Sequence, residues 1–262
     1  MMKIAIIGAG AMGGAIVEGL LKTNKYQPTD ITVADPYPAV LEHFAQKGVS
    51  VTTDNHIAAE SADIVVVVVK PWLVEGVLKE IKDTLDYNRQ QLILVAAGIK
   101  SEQVIAWMEK KEEGVLPFYL VIPNIAIAEK QSMTFIVPVG ATSIQTKTIK
   151  QIFDEMGDSI ITEERLLAAG TTLASCGIAY AMRYVRAAVE GGVELGFKAK
   201  DSEKIVLQTV KGAVELLQAT GEHPEAAIDK VTTPGGVTIR GLNEMEHAGF
   251  TSAVIRGLKA AL

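Results

Sequence analysis

The stretch Lys3-Ile4-Ala5-Ile6-Ile7-Gly8-Ala9-Gly10-Ala11-Met12-Gly13 decides the fold. Lys3 to Ile7 is a short β-branched run, and Ala11 to Leu21 reads as a helix. Gly8-Ala9-Gly10-Ala11-Met12-Gly13 is therefore a G-x-G-x-x-G turn lying between a strand and a helix. In that context Gly8 permits the tight turn, Gly10 lets the backbone approach a pyrophosphate, and Gly13 lets helix and strand pack closely. The whole turn is a candidate dinucleotide site. Without its flanking elements it would be a plain glycine-rich turn.

Working outward, the alternation continues. Ile31–Ala34 reads as a strand and Val40–Gln46 as a helix. Ile64–Val69 is apolar at every position, as expected of a parallel strand buried on both faces. Leu73–Ile81 is helical, Leu92–Ala96 a strand, and Ser101–Lys110 a helix with Ser101 as its N-cap. Leu116–Ile122, Met133–Pro138 and Ser159–Ile161 read as later strands, with a helix at Ile144–Met156. This order predicts an α/β fold, a Rossmann-type doubly wound sheet with right-handed crossovers, over residues 1–163. From Arg165 onward every segment has helical spacing: Arg165–Thr172, Ile178–Leu195, Ser202–Ala219, Pro224–Lys230, Val237–Ala248 and Ser252–Ala261. Residues 164–262 are thus expected to form an all-helical second domain.

Composition narrows the function. The 262 residues are 48% hydrophobic and 21% charged, a globular balance, and the net charge of −6 gives no basic footprint for nucleic acid. The single Cys176 excludes an intramolecular disulfide and fits a reducing, cytoplasmic setting. Met1 to Leu21 is apolar, but its five glycines and Glu18 read as a cofactor turn rather than a secretion signal. The run Ile64–Val69 is too short to span a membrane. His43, His56, His223 and His247 show no metal-ligand spacing. His223, followed by Pro224, reads as a structural residue at a helix start.

The strand ends carry the next candidates. Asp35 ends the second strand, where an acid accepts hydrogen bonds from the adenine-ribose 2′-hydroxyl and repels a 2′-phosphate, favouring NADH; its other reading is the start of an Asp-Pro turn. Val68-Val69-Lys70-Pro71 closes a strand at the ligand crevice. Pro71 starts the following helix, and Lys70 suits either a phosphate or solvent. The small side chains of Ala96-Ala97-Gly98 admit a flat ring, or else a packed helix.

A second segment speaks to the substrate. Val231-Thr232-Thr233-Pro234-Gly235-Gly236-Val237-Thr238 combines hydroxyls, paired glycines and a proline read as helix-starting, ahead of an amphipathic helix. A helix N-terminus with bare N–H groups binds a small anion such as a carboxylate. Thr238 suits a substrate hydrogen bond, or a first-turn threonine bonded within its own helix.

The string V-T-T-P-G-G-V-T-I-R-G-L-N-E, Val231 to Glu244, closely resembles the signature of the pyrroline-5-carboxylate reductase family. Supporting pieces occur in the family's order: the glycine turn, Val69-Lys70-Pro71, Ala96-Ala97-Gly98-Ile99, Pro123-Asn124, Ala179-Tyr180, Gln208-Thr209 and Gly212. The resemblance implies a Rossmann domain followed by a helical dimerisation domain. It also implies NAD(P)H as cofactor and reduction of the C=N bond of 1-pyrroline-5-carboxylate to L-proline by a homo-oligomer, at least a dimer. It assigns Thr238 to the pyrroline nitrogen, and Thr233, Gly235, Gly236, Val237 and Thr238 to the substrate, the N–H groups of Gly236, Val237 and Thr238 holding its carboxylate. Cofactor contacts fall on Gly8, Ala9, Gly10, Ala11, Met12, Gly13, Asp35, Asn55, Val68, Val69, Lys70, Pro71, Val95, Ala96, Ala97 and Asn124.

The chain departs from the family at two places. Where the family often reads R-x-M-P-N-T-P-A, this sequence has Leu120-Val121-Ile122-Pro123-Asn124-Ile125-Ala126-Ile127. Where the family reads G-S-G-P-A-Y, it has Ala174-Ser175-Cys176-Gly177-Ile178-Ala179-Tyr180. These changes leave two alternatives open: a related NAD(P)-dependent imine or hydroxyacid reductase, or a catalytically weak dinucleotide-binding paralogue. The hydroxyacid plan places a catalytic Lys on the helix after the Rossmann domain. Here that helix has Arg183 and Arg186, with no Lys before Lys198.

Overall fold

The computed structural model describes residues 2–262. The chain divides into two compact units, Met1–Ser175 and Cys176–Leu262.

The first unit is built on an eight-stranded sheet. Its strands are β1 (Ile4–Ile7), β2 (Ile31–Ala34), β3 (Ser50–Thr52), β4 (Ile64–Val67), β5 (Gln91–Leu94), β6 (Phe118–Ile122), β7 (Ser132–Val139) and β8 (Gly157–Ile161). Their order is β3-β2-β1-β4-β5-β6-β7-β8. All neighbours run parallel except β6 and β7, which pair antiparallel. The order reverses between β1 and β4, the switch point where such sheets bind ligands beyond the strand ends. The helices are α1 (Ala11–Lys22), α2 (Pro38–Ala45), α3 (Asn55–Glu60), α4 (Pro71–Ile81), α5 (Ser101–Met108) and α6 (Ser143–Asp154), followed by a short α7 (Leu167–Gly170).

The side chains of β1, β4 and β6 are buried at every position, as helices on both faces require. Two apolar clusters result. One holds Ile6, Val33, Val66 and Val121 with Ile16, Leu20 and Phe153. The other, on the opposite face, holds Ile7, Val65, Val67 and Leu94 with Val74, Leu78 and Val104. Burial in the first cluster pushes the Tyr119 phenol up to about 12.

Several elements differ from the expected ones. β3 and α3 were not expected; β3 is three residues long and two of them are exposed, so it carries no alternating pattern. Ser101 is the first helical residue of α5 rather than its N-cap, which is Lys100. The helix at 165–172 narrows to α7, then continues as a π-helical turn over Thr171–Cys176. Residues 164–175 are grouped with the sheet unit, to which hydrogen bonds tie them. Ser101 N–H and Oγ donate to Glu164, Ser175 Oγ donates to the Pro123 carbonyl, and Asn124 Nδ2 to the Ala174 carbonyl.

The second unit is helical throughout: α8 (Gly177–Glu194), α9 (Ala199–Thr220), α10 (Pro224–Lys230), α11 (Val237–His247) and α12 (Phe250–Ala260). Helices α8 and α9 form a hairpin closed at Ser202, whose buried hydroxyl donates to the Val189 carbonyl. His223 caps α10, its ring Nδ1 accepting the Glu225 N–H, with Pro224 in the first turn as expected. Among the described residues, every fully buried apolar side chain precedes residue 157. The second unit has no apolar core of its own.

Candidate active site

One candidate site lies along the C-terminal edge of the parallel strands. Gly8 adopts φ +104°, and a Cβ there would sit 2.2 Å from the Val68 carbonyl oxygen; at Gly13 it would sit 1.9 Å from the Gly8 carbonyl oxygen. Both positions therefore demand glycine for reasons internal to the fold. Gly10 is different: nothing lies within 4 Å of the place its Cβ would take. Its small size serves the approach of something outside the turn. Gly10 is the N-cap of α1, which has no side-chain cap and no acid in its first turn. Among the described residues, the N–H groups of Ala11, Met12 and Gly13 have no hydrogen-bond partner. Free donors at a positive helix end and an open glycine fit a dinucleotide pyrophosphate.

Neighbouring strand ends complete this edge. Val68 N–H donates to the Ile7 carbonyl, which sets Val68 and Val69 beside the glycine turn, and Val95 N–H donates to the Val67 carbonyl, which sets the end of β5 beside that of β4. Lys70 is the N-cap of α4 and Pro71 its first residue, as expected. Asp35 follows β2 and uses both carboxylate oxygens: Oδ2 accepts the Ala9 N–H at 2.8 Å and Oδ1 the Tyr37 N–H at 3.0 Å. The acid thus both starts the turn and holds the glycine loop, and each oxygen keeps a second lone pair.

Two candidates spend their side chains within the protein. The amide of Asn55, the first residue of α3, donates to Glu80 near the end of α4. Asn124, 7% exposed, follows β6; its Oδ1 accepts the Ala126 N–H and its Nδ2 donates to the Ala174 carbonyl. The Ala126 bond gives a physical account of one departure. Proline at that position, as in the family's string, has no N–H to offer. Ile178 follows the π-helical turn in the first turn of α8.

A cavity of about 460 Å³ adjoins the ends of β5 and β6, lined by Ala96, Gly98, Ile99, Ser101, Ile122 and Glu164 among others. Glu164 was not singled out in the sequence, and Ser101 only as a helix N-cap. Nothing local marks Glu164, because its partner lies 63 residues away.

A second candidate site belongs to the helical unit. Gly235 has φ +68° and Gly236 N–H donates to the Thr233 carbonyl at 2.9 Å, a type II turn with Pro234 at its first central position. Pro234 therefore shapes the turn before α11 and does not start the helix, which begins at Val237 with Gly236 as N-cap. The Gly236 N–H closes the turn and is not free. A Cβ on Gly236 would sit 2.4 Å from Thr233 Oγ1. The N–H groups of Val237 and Thr238 have no partner among the described residues, and the hydroxyls of Thr233 and Thr238 make no hydrogen bond. By contrast Thr148, Thr171, Thr209 and Thr220 all donate to the carbonyl four residues earlier. Val237 is 76% exposed, so this helix end opens outward.

These features define a Rossmann-type dinucleotide-binding protein with a helical second unit. Comparison with known proteins narrows the class. Residues 164–262 match the family model for pyrroline-5-carboxylate reductase dimerisation, and residues 3–109 the model described as NADP oxidoreductase coenzyme F420-dependent. Pyrroline-5-carboxylate reductase 1 of Dictyostelium discoideum is 38% identical over 97% of this chain and 48% of its own length. The chain thus spans about half of that relative. Pyrroline-5-carboxylate reductase 2 of the same organism is 33% identical, over 98% of this chain and 89% of its own. A crystal structure of a Coxiella burnetii pyrroline-5-carboxylate reductase superposes with a TM-score of 0.87 at 28% identity, covering 99% and 96% of the two chains. The chain belongs to the pyrroline-5-carboxylate reductase family. No helix among the described residues is long and apolar enough to cross a membrane, and none of their His, Cys, Asp or Glu side chains group to hold a metal.

Proposed function

We propose that this chain reduces 1-pyrroline-5-carboxylate to L-proline with NAD(P)H, acting as a homo-oligomer of at least two copies. The observation that carries the reading is the uncapped start of α11, with the Val237 and Thr238 N–H groups and the Thr233 and Thr238 hydroxyls all free beside the Thr233–Gly236 turn. An anion seated there meets a positive helix end. A bound NAD(P)H supplies the hydride to the imine carbon, while the protonated ring nitrogen becomes the amine. The chain's own part is positioning. The glycine turn and the N–H groups of Ala11 and Met12 hold the pyrophosphate; Val68 to Pro71 and Val95 to Ala97 border the nucleotide. Val237 and Thr238 fix the carboxylate through their N–H groups, and Thr238 Oγ1 orients the ring nitrogen. Orientation alone is worth up to roughly 7–11 kcal/mol in favourable cases. A protonated imine is already electrophilic, so neither metal nor strong base is required.

The direct test incubates the protein with pyrroline-5-carboxylate and follows NADH absorbance; cofactor binding without turnover would favour a non-catalytic paralogue. Thr238→Ala is expected to lower kcat/KM about tenfold or more, the worth of a substrate hydrogen bond of roughly 1.5 kcal/mol. An unchanged rate in the folded variant would remove Thr238 from the site.

Asp35 supports NADH over NADPH, although the family model over residues 3–109 is named for NADP. Its carboxylate is fixed by two N–H donors and keeps lone pairs for ribose hydroxyls, while its charge repels a 2′-phosphate. The kcat/KM ratio of NADH to NADPH is expected to exceed one, and to fall in Asp35→Asn. Asparagine also presents an N–H to one of the two backbone donors, so NADH affinity itself should drop about tenfold. A strong NADPH preference of the unmodified protein would overturn this assignment.

The oligomer follows from the missing core. Exposed apolar residues recur on every long helix of the second unit, including Met182 and Tyr184 on α8, Leu207 and Leu216 on α9, and Val254 and Ile255 on α12. Faces of this kind need a partner surface, and a second copy supplies a self-complementary one. The reducing setting inferred from the lone cysteine accords with a cytoplasmic location.

A further inference from the structure

We propose that Glu164 is a positioning residue that sets the Ala96–Lys100 turn, the border of the cofactor edge beyond β5; this rests on the dinucleotide-binding reading above. The turn leaves the sheet at Val95, whose N–H still donates to Val67. From Ala96 to Ile99 no backbone group donates or accepts a hydrogen bond among the described residues, and Gly98 turns at φ +80°. The far end of the turn is Lys100, which begins α5. Its N–H bonds to Gln103 and its carbonyl to the Gln103 and Val104 N–H groups, all within that same helix start.

The hydrogen bonds from this helix start to the rest of the molecule come from Ser101. Its N–H donates to Glu164 Oε1 at 3.0 Å and its hydroxyl to Oε2 at 2.5 Å. A bidentate carboxylate at a helix N-terminus is a charge-assisted contact and a strong one. The remaining anchor is apolar, the partly buried side chains of Ala96 and Ile99 resting on the core. Apolar contacts tolerate sliding; a bidentate carboxylate does not. Glu164 and Ser101 line the same cavity as Ala96, Gly98 and Ile99. In a sheet of this topology the glycine turn takes the pyrophosphate and the end of β2 the adenine ribose, so the strands beyond β4 face the reacting half of the dinucleotide. A turn with no hydrogen bonds of its own has its height set by its ends, and Glu164 holds one of them.

The test uses the full chain and the variants Glu164→Ala, Glu164→Gln and Ser101→Ala. Glutamine keeps an acceptor for the Ser101 N–H and places an amide donor against the hydroxyl, so Glu164→Gln should behave as the unmodified protein. In the cofactor-free protein, Glu164→Ala should raise amide hydrogen exchange at Ser101 by about tenfold or more, with the amides of α1 unchanged. With NADH added, its affinity should change less than about threefold, because the pyrophosphate and adenine contacts are untouched. The fluorescence of the bound reduced nicotinamide should move toward that of free NADH, and kcat with pyrroline-5-carboxylate should fall about tenfold with a raised primary deuterium isotope effect. Ser101→Ala keeps one of the two bonds and should fall between. Faster exchange with unaltered nicotinamide fluorescence and kcat would reduce Glu164 to a helix cap and overturn the proposal. An NADH affinity lost as steeply as kcat would overturn it as well. If the unmodified protein binds NADH but does not turn over, the fluorescence decides the proposal while the reductase reading fails. If it binds no dinucleotide, both fail.

Discussion

Gly13→Ala is expected to abolish dinucleotide binding and to destabilise the sheet unit. The added methyl would lie 1.9 Å from the Gly8 carbonyl oxygen, a backbone atom that cannot rotate away. Relief requires α1 to lift from β1 or the Gly8 turn to open. Gly8 is itself pinned by its φ of +104° and by the Val68 carbonyl beneath it. Overpacking of this kind costs about 1–3 kcal/mol, which lowers Tm by roughly 2–12 °C in a chain of this size. The functional loss should be larger than the structural one. Moving α1 displaces the free N–H groups of Ala11 and Met12, and each hydrogen bond to a charged phosphate is worth about 1.5–3 kcal/mol. Losing two weakens NADH binding by at least about a hundredfold. Titration calorimetry checks the affinity and scanning calorimetry the Tm. Gly10→Ala separates the two effects, since its methyl meets nothing in the protein. It should leave Tm unchanged while still weakening NADH, and equal loss of Tm in both variants would refute this division.

The glycine turn also shows why the sheet was legible in the sequence. The central strands β1 and β4 are buried on both faces, so they stand out as unbroken apolar runs with no polar residue to blur them. The strands bounding Asp35, Val68 and Val95 were placed to within a residue or two for that reason. β3 escaped because it sits at the edge of the sheet, where an exposed strand of three residues needs no apolar pattern. The start of α5 was misplaced by one residue because Ser101 is a good N-cap by type, yet its hydroxyl is drawn to Glu164. A long-range partner overrode the local preference, and no local spacing announces such a partner.

The segment before α11 was legible to a different degree. Paired glycines beside a proline imply a tight turn before a helix, and the structure has one, but Pro234 shapes the turn and Gly236 spends its N–H closing it. Sequence alone does not tell which of several consecutive N–H groups the turn consumes. It does tell which residues are small enough for the turn to form. That Thr238 stays free while four other threonines bond back along their helices was likewise hidden, because the choice depends on which carbonyl lies within reach. For Asn55 and Asn124, residue type gave no hint that their amides are engaged by Glu80 and Ala174.

Val254→Asp combined with Ile255→Asp should convert the protein to a monomer and cost most of its activity. The two side chains are 47% and 52% exposed on α12, a helix with no fully buried residue, and Phe250 on the same helix is 43% exposed. A unit in which no apolar side chain is fully buried cannot offset the conformational entropy of ordering its helices alone. In a dimer each such side chain buried against a second copy contributes about 1.5–3 kcal/mol. Replacing two of them with carboxylates removes that gain and sets unpaired charges in an apolar interface, at a further cost of several kcal/mol. The dissociation constant should rise by about a thousandfold or more, since each 1.4 kcal/mol is a factor of ten. Activity should fall with it, because α11 and its Thr238 belong to the unit whose order depends on the contact. Sedimentation at micromolar concentration should show at least a dimer for the unmodified chain and a monomer for the variant, with weakened far-ultraviolet helix signal. Monomeric behaviour of the unmodified chain would instead mean that these helices are covered by something other than a second copy.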